Sequence, residues 1–121
     1  MNQKAFYSIE VCFSPQLIHL VGVRDSLTVV VADILRATTS IISAISNGAS
    51  CVVPVADLNL AKAYKEQGYL VAAERDGKIL DFADFGNSAF EFQSGRVTGK
   101  TLVFSTTNGT VAIDLDRKSV V

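Results

Sequence analysis

Two hydrophobic patterns alternate along this chain: short runs of β-branched residues and longer stretches with a helical repeat. Residues 27–32 (LTVVVA) and 49–55 (ASCVVPV) are almost unbroken apolar runs, which are typical of strands buried on both faces of a parallel sheet. Between them, residues 37–48 place apolar side chains at i, i+4, i+7 and i+8 and end in glycine. This spacing predicts a helix that stops where Gly48 adopts the left-handed conformation.

The rest of the chain continues this alternation of elements. Residues 4–13 alternate apolar and polar side chains, as a strand near a sheet edge does. Asp57 is a suitable N-cap for a helix that runs to about Gln67 and ends at Gly68. The remaining segments are predicted as follows: a short turn or helix opened by Ser14 and Pro15, strands at 69–73 and 101–105, an irregular loop at 78–85, a short helix at 111–115, and the start of a strand at 119–121.

Strands that alternate with helices predict an α/β fold. We expect a mostly parallel sheet with helices on both faces, a three-layer α/β/α arrangement, in a single domain over residues 1–121. The unfinished strand at 119–121 suggests that the chain is cut short, because a parallel sheet would be expected to continue there.

Polar residues follow three of the predicted strands. Asp33 and Arg36 follow the first, Glu74 and Arg75 follow another, and the turn at 106–110 (TTNGT) follows a third. The carboxyl ends of parallel strands share one edge of the sheet, where ligands bind in open α/β folds. Free N–H groups and the helix dipole favour an anion there, and the fork of Arg36 suits phosphate or carboxylate.

The residues alone leave the role of Asp33 open. It can hold a divalent cation, act as a nucleophile or acid, or orient Arg36. The structural alternative is an Asp33–Arg36 salt bridge with Thr38 capping the helix. The ERDG stretch at 74–77 can equally be a solvated turn, and the 106–110 turn an ordinary capped βα turn. Ser88 and Glu91 match a capping box, which explains both residues without a function.

Composition excludes several classes of function. A net charge of −1 and 49% hydrophobic residues describe a well-packed soluble protein without an electrostatic footprint for nucleic acid or a membrane surface. The N-terminus lacks a signal-peptide pattern, so we expect a cytoplasmic protein whose Cys12 and Cys51 are buried free thiols. The motifs GxGxxG, GxxxxGK[ST], GxSxG and CxxC are absent.

Three segments of the chain together resemble the 2-phosphosulfolactate phosphatase family. They are VVVADILRATTSIISAISNGA, VAAERDGKILDFADFGNSAFEF and GKTLVFSTTNGT, in this order, and the resemblance covers residues 27–112. It implies magnesium-dependent hydrolysis of a phosphate monoester, 2-phosphosulfolactate, in coenzyme M biosynthesis, or of another small phosphorylated acid. Members of that family are longer, so the resemblance is to the N-terminal part of such a phosphatase. A homo-oligomer is compatible with it.

The resemblance also implies roles for individual residues. Asp33 and Arg36 would be catalytic, and Asp33 and Glu74 would hold Mg²⁺. The nucleophile would be a water held by the metal or, alternatively, Asp33 itself. The implied substrate-binding residues are Thr38, Thr39, Arg75, Asn87, Ser88, Thr106, Thr107, Asn108, Gly109 and Thr110, with Arg75 placed to take a second acidic group of the substrate.

Two other functions fit the same residues. One is an anion-binding module that needs neither metal nor turnover, and a magnesium requirement would separate it from the enzyme. The other is a structural half-domain whose exposed sheet edge pairs with a second domain or another copy.

Overall fold

A four-stranded sheet forms the centre of the fold. Its strands are β1 (Cys51–Pro54), β2 (Leu70–Arg75), β3 (Lys78–Ile79) and β4 (Thr101–Ser105), in the order β1-β4-β2-β3. The computed structural model describes residues 9–21 and 28–115. β4 pairs in parallel with β1 on one side and with β2 on the other, whereas β3 pairs antiparallel with β2. The mostly parallel α/β fold is therefore confirmed.

The helices begin and end close to the predicted residues. Asp57 caps α2 by accepting a hydrogen bond from the Asn59 N–H at 2.8 Å, as predicted. Gly48 and Gly68 follow α1 and α2 with φ of 93° and 89°, the left-handed conformation that ends a helix. The helices are α1 (Ala37–Ser46), α2 (Leu58–Glu66), α3 (Ser94–Val97) and α4 (Gly109–Leu115), with 3-10 helices at Pro15–Leu20 and Ala89–Glu91.

The core consists of two clusters of apolar side chains that divide the residues of β4 between them. Leu102 and Phe104 pack with α1 and with Phe85 and Phe92. Val103, which points to the opposite face of the sheet, packs with Ala61 of α2. The sheet thus has apolar partners for alternate residues of its central strand. The full three-layer arrangement stays a prediction.

The predicted strand at residues 27–32 is not a strand in the structure. Residues 28–33 form no ladder, and the side chain of Val30 is 85% exposed. A strand forms only when a neighbour takes its N–H and C=O groups, and within residues 9–21 and 28–115 no strand pairs with this run. Residues 9–13 likewise form no strand, so the edge-strand prediction is wrong there. Residues 4–8, 27 and 119–121 lie outside the described residues.

Three smaller predictions are also wrong. Residues 78–85 are not wholly irregular, because β3 lies within them. Cys12 and Cys51 are free, as expected, but exposed instead of buried. The capping box does not form: Glu91 Oε2 accepts from the Gly86 N–H at 2.9 Å, and the Ser88 hydroxyl makes no cap. Glu91 lies in the three-residue 3-10 helix that follows Ser88. Its side chain bonds back to Gly86, in the turn before that helix, instead of to the N-cap.

Within the residues described, no helix combines the length and the apolar character needed to cross a bilayer.

Candidate active site

A polar cavity of about 270 Å³ lies at the carboxyl edge of the sheet. It gathers residues from the turn before α1, from the β2–β3 turn and from the turn after β4, segments that the sequence placed on one edge. The loop before the second 3-10 helix contributes one more residue. The cavity is lined by Asp33, Leu35, Arg36, Glu74, Asp76, Gly77, Asn87, Thr106, Thr107 and Asn108. We refer to this feature as the polar cavity.

Asp33 and Arg36 line the polar cavity, and their charged groups are without partners among the described residues. Among the described residues, no hydrogen bond or ion pair involves either the Asp33 carboxylate or the Arg36 guanidinium. The alternative of an Asp33–Arg36 salt bridge is therefore wrong for this structure. Both groups keep their full capacity for a ligand, one as an acceptor and the other as a donor.

Thr38 and Thr39 shape the turn that carries these two residues. The Thr38 hydroxyl accepts from the Asp33 N–H at 2.9 Å, while the Thr38 N–H donates to the Asp33 carbonyl at 2.8 Å. The Thr39 hydroxyl donates to the Ile34 carbonyl at 2.7 Å. Neither hydroxyl lines the polar cavity. Thr38 does not cap α1, whose N-cap position is Arg36, so that part of the structural alternative is also wrong.

Glu74 links two of the turns that line the cavity. Its carboxylate is buried. Oε1 accepts from the N–H and the hydroxyl of Thr107 at 3.1 and 3.2 Å, and Oε2 accepts from the Gly77 N–H at 2.8 Å. The ERDG stretch is thus a hairpin turn whose first residue is bonded to the turn after β4.

Arg75 lies outside the lining of the polar cavity. One terminal nitrogen donates to the Glu74 carbonyl at 2.6 Å, and the other donates to the Ala56 carbonyl at 3.3 Å and the Ser105 hydroxyl at 3.2 Å. These bonds join β2 to the end of β4 and to the loop after β1. The guanidinium is occupied with protein acceptors, so its assignment to the substrate stays a prediction that the cavity geometry does not favour.

The turn after β4 is held by reciprocal hydrogen bonds. The Thr106 N–H donates to the Thr110 hydroxyl at 3.1 Å, and the Thr110 N–H donates to the Thr106 hydroxyl at 3.3 Å. Gly109 brings this turn against α1: a Cβ there would lie 2.8 Å from the Ala37 Cβ and 3.1 Å from Asp33 Oδ2. The turn therefore packs directly on the carboxylate of the neighbouring segment. Thr110 and Gly109 support the cavity from outside its lining.

Asn87 enters the polar cavity from the loop after β3. Its residue is only 8% exposed, and its side-chain Oδ1 is buried without a hydrogen-bond partner. Its backbone carbonyl accepts from the Ser40 hydroxyl of α1 at 3.0 Å, and the Ser43 hydroxyl donates to the Ala89 carbonyl at 2.8 Å. Ser88, between them, does not line the cavity.

The sequence did not point to three of the lining residues: Leu35, Asp76 and Gly77. Asp76 has φ of 52°, a left-handed conformation that Asp and Asn tolerate better than most residues. The Asp-Gly pair is typical of a tight hairpin turn, and this signal was sufficient to predict the turn. Leu35 carries no such signal.

The donors in the polar cavity suit a hard cation bound by few protein ligands. Within the described part of the chain, no cluster of three or more His, Cys, Asp or Glu side chains is arranged to hold a metal. Mg²⁺ is commonly bound by one or two carboxylates with water and substrate oxygens completing its shell. The available oxygens are those of Asp33, Glu74, Asp76 and Asn87.

Taken together, the mostly parallel sheet and the polar cavity at its carboxyl edge define an α/β protein with a candidate ligand site at that edge. The sequence profile of the 2-phosphosulpholactate phosphatase family matches residues 12–120 of the chain. The chain therefore belongs to the 2-phosphosulpholactate phosphatase family.

Curated relatives agree with this assignment. The chain is 44% identical over 87 residues to the probable 2-phosphosulfolactate phosphatase of Thermotoga petrophila, covering 72% of this chain and 38% of the relative. It is 40% identical over 107 residues to that of Pseudothermotoga lettingae (88% and 45%) and 46% identical over 89 residues to that of Clostridium acetobutylicum (71% and 38%). The alignments thus span less than half the length of these relatives.

Proposed function

We propose that the polar cavity belongs to the active site of a phosphate-monoester hydrolase and that the substrate is 2-phosphosulfolactate, hydrolysed to sulfolactate and phosphate. The observation that carries the proposal is that Asp33 and Arg36, whose charged groups have no partner among the described residues, line one cavity together with the threonine-rich turn. The names of the curated relatives support the choice of substrate. This substrate assigns the complete enzyme to coenzyme M biosynthesis.

Arg36 would bind the phosphate. A guanidinium matches two phosphate oxygens with parallel hydrogen bonds, and this one has no competing acceptor among the described residues. It lies at the N-cap of the ten-residue helix α1, whose dipole adds positive potential. Donors fixed in this way stabilise the negative charge that grows on the phosphoryl oxygens in the transition state.

A divalent cation, Mg²⁺, would complete the site. The fit rests on Asn87, which lines the same cavity as Asp33 and whose buried Oδ1 has no hydrogen-bond partner. Both side chains carry hard oxygen donors of the kind that Mg²⁺ prefers. When bound, such a cation polarises phosphoryl oxygens and lowers the pKa of water. Asp33 would hold the cation, or would instead attack phosphorus and displace the ester oxygen of sulfolactate, after which water would hydrolyse the aspartyl phosphate.

The test measures phosphate released from 2-phosphosulfolactate by this chain in Mg²⁺ and in EDTA, together with an amide chemical-shift titration. We expect release that requires Mg²⁺, and shifts grouped at residues 33–36, 74–77, 87 and 106–108. Binding of the ligand without any effect of Mg²⁺ would favour the anion-binding module. A folded spectrum without shifts at these residues would favour the half-domain.

Replacing Arg36 gives the sharpest prediction. Arg36→Ala should lower kcat/KM by about 10²- to 10³-fold, the usual effect of removing one transition-state donor. The thermal midpoint should not change, because the guanidinium has no partner among the described residues. Lys62→Ala, on the exposed side of α2, is the control. Turnover of the Arg36 variant close to that of the control would contradict the mechanism.

The half-domain alternative has one observation in its favour. Several large apolar side chains outside the two core clusters are exposed, among them Phe13 at 92% and Leu35 at 90%. Such side chains in one region usually mark an interaction surface. This function does not compete with the chemistry of the polar cavity, since a half-domain can also carry part of an active site.

A further inference from the structure

The unpaired Oδ1 of Asn87 is the strongest sign of a ligand in the described part of the chain. Leaving a buried acceptor without a donor is unfavourable, and such atoms are rare in native proteins. The residue is 8% exposed and lines the polar cavity. An acceptor of this kind is satisfied by a cation or by a donating group of a ligand.

The neighbours of Asn87 favour a cation over an anion at this atom. An amide oxygen repels phosphate oxygens, and the nearby Asp33 carboxylate, which is also unpaired, would add to that repulsion. A neutral and a negative oxygen in one cavity instead form part of the ligand set of a hard divalent cation. Oδ1 therefore suits a metal better than it suits the phosphate itself.

Asn87 is also held as a metal ligand should be. The Ser40 hydroxyl, itself fully buried, donates to the Asn87 carbonyl, and the Ser43 hydroxyl fixes the next turn of the loop at Ala89. Both serines belong to α1, the helix that begins directly after Asp33 and Arg36. One helix thus fixes the backbone at Asn87 and directly follows the turn that carries Asp33.

Glu74 has the opposite pattern of contacts. Its two oxygens already accept three hydrogen bonds, two from Thr107 and one from Gly77. A carboxylate has about four acceptor sites, so a metal on Glu74 would compete with the bonds that hold the two turns together. The contacts of Glu74 are those of a residue that positions other groups.

We infer that Asn87 Oδ1 and the Asp33 carboxylate are the protein ligands of the divalent cation, and that Glu74 is a positioning residue that fixes the turns around it. This inference rests on the proposed function for its metal. It differs from the family resemblance, which implied substrate binding for Asn87 and metal binding for Glu74.

The test measures Mn²⁺ binding to the purified chain from the free-ion EPR signal, with Mg²⁺ as competitor and without substrate. Asn87→Ala should weaken Mn²⁺ binding at least about tenfold, the lower range seen even for outer-shell ligand partners. Asn87→Asp should restore binding or strengthen it, because it returns an oxygen at the same position. Asn59→Ala, an exposed asparagine of α2, is the matched control.

Glu74→Gln should keep Mn²⁺ binding within the range of the control, while lowering the thermal midpoint. If Glu74 acts through Thr107, the effects of Glu74→Gln and Thr107→Val on that midpoint should be non-additive, as for residues in contact. This coupling separates a positioning role from a general loss of packing.

Four results would overturn the inference. They are a wild-type chain that binds no Mn²⁺, an Asn87→Ala variant that binds Mn²⁺ like the control, an Asn87→Asp variant that does not recover, and a Glu74→Gln variant that loses binding. The proposed function is tested separately, since Mn²⁺ binding that depends on Asn87 without phosphate release would support the site and contradict the hydrolase.

Discussion

At the scale of single residues, the polar cavity depends on which polar groups are satisfied by the protein and which are not. The side chains of Thr38, Thr107 and Arg75 form hydrogen bonds with other groups of the protein. Asp33, Arg36 and Asn87 Oδ1 have no such partners among the described residues. One sequence motif, residues 33–38, contains residues with protein partners and residues without them. Contacts alone separate the groups that support the cavity from those left for a ligand.

Gly109 packs so closely against α1 that the turn after β4 has no room for a side chain at this position. Gly109→Ala should lower the free energy of unfolding by about 1–3 kcal/mol, the usual cost of an overpacked site, because its Cβ would lie 2.8 Å from the Ala37 Cβ. Gly95→Ala is the control, since a Cβ there meets nothing within 4 Å. Urea denaturation measures both. Equal stability of the two variants would mean that the turn moves away from α1 without cost.

At the scale of elements, the helix ends were predictable because they are local. Asp57, Gly48 and Gly68 each act within a few residues of their own position. The meeting of residues 74–77 and 106–108 was also predictable, because both lie where parallel strands end, and the carboxyl ends of such strands share one edge. Residues 33–36 join them although the run before them is not a strand. The structure of the run at 28–32 was not predictable in this way. An apolar β-branched sequence favours a strand, but a strand also needs a partner strand that the local sequence does not supply. The link between α1 and the loop at 87–91 joins residues 46 and 47 positions apart and leaves no local pattern.

That link gives a prediction for α1. Ser40→Ala should lower the free energy of unfolding by about 1–3 kcal/mol, because it leaves the buried Asn87 carbonyl without its donor. Ser46→Ala, exposed at the last position of α1, should change stability far less. Amide hydrogen exchange should also show faster opening of residues 87–91 in the Ser40 variant alone. Unchanged protection of that loop would mean that Ser40 does not hold it.

At the scale of the molecule, the exposed apolar residues are unevenly placed. Ile9, Phe13, Val30 and Leu35 are all exposed and all lie before α1. The sheet and its two clusters are built from residues after this region, together with α1 itself. The described molecule therefore has a well-packed part that carries most of the polar cavity and an apolar part that lacks cover within it.

The apolar part predicts how the chain behaves in solution. Val30→Asp should reduce binding of a hydrophobic dye and any concentration-dependent association, without lowering the thermal midpoint, because Val30 is 85% exposed. Val111→Asp, a less exposed valine of α4, is the comparison. Sedimentation velocity and dye fluorescence measure the two effects. A lower midpoint for the Val30 variant would show that this side chain is covered in solution.

The hairpin turn at Asp76 has a consequence for how the polar cavity can change. The turn is fastened through main-chain groups, the N–H of Gly77 on Glu74 and the N–H of Asp76 on the Thr107 hydroxyl at 3.3 Å. The Asp76 side chain lines the cavity yet takes no part in that fastening. The side chain at position 76, and with it the charge presented to a bound molecule, can therefore be replaced without breaking the two hydrogen bonds that hold the turn. Its φ of 52° favours asparagine, aspartate and glycine there. Exchange among these three residues would alter the charge that the cavity presents without altering the backbone of the turn.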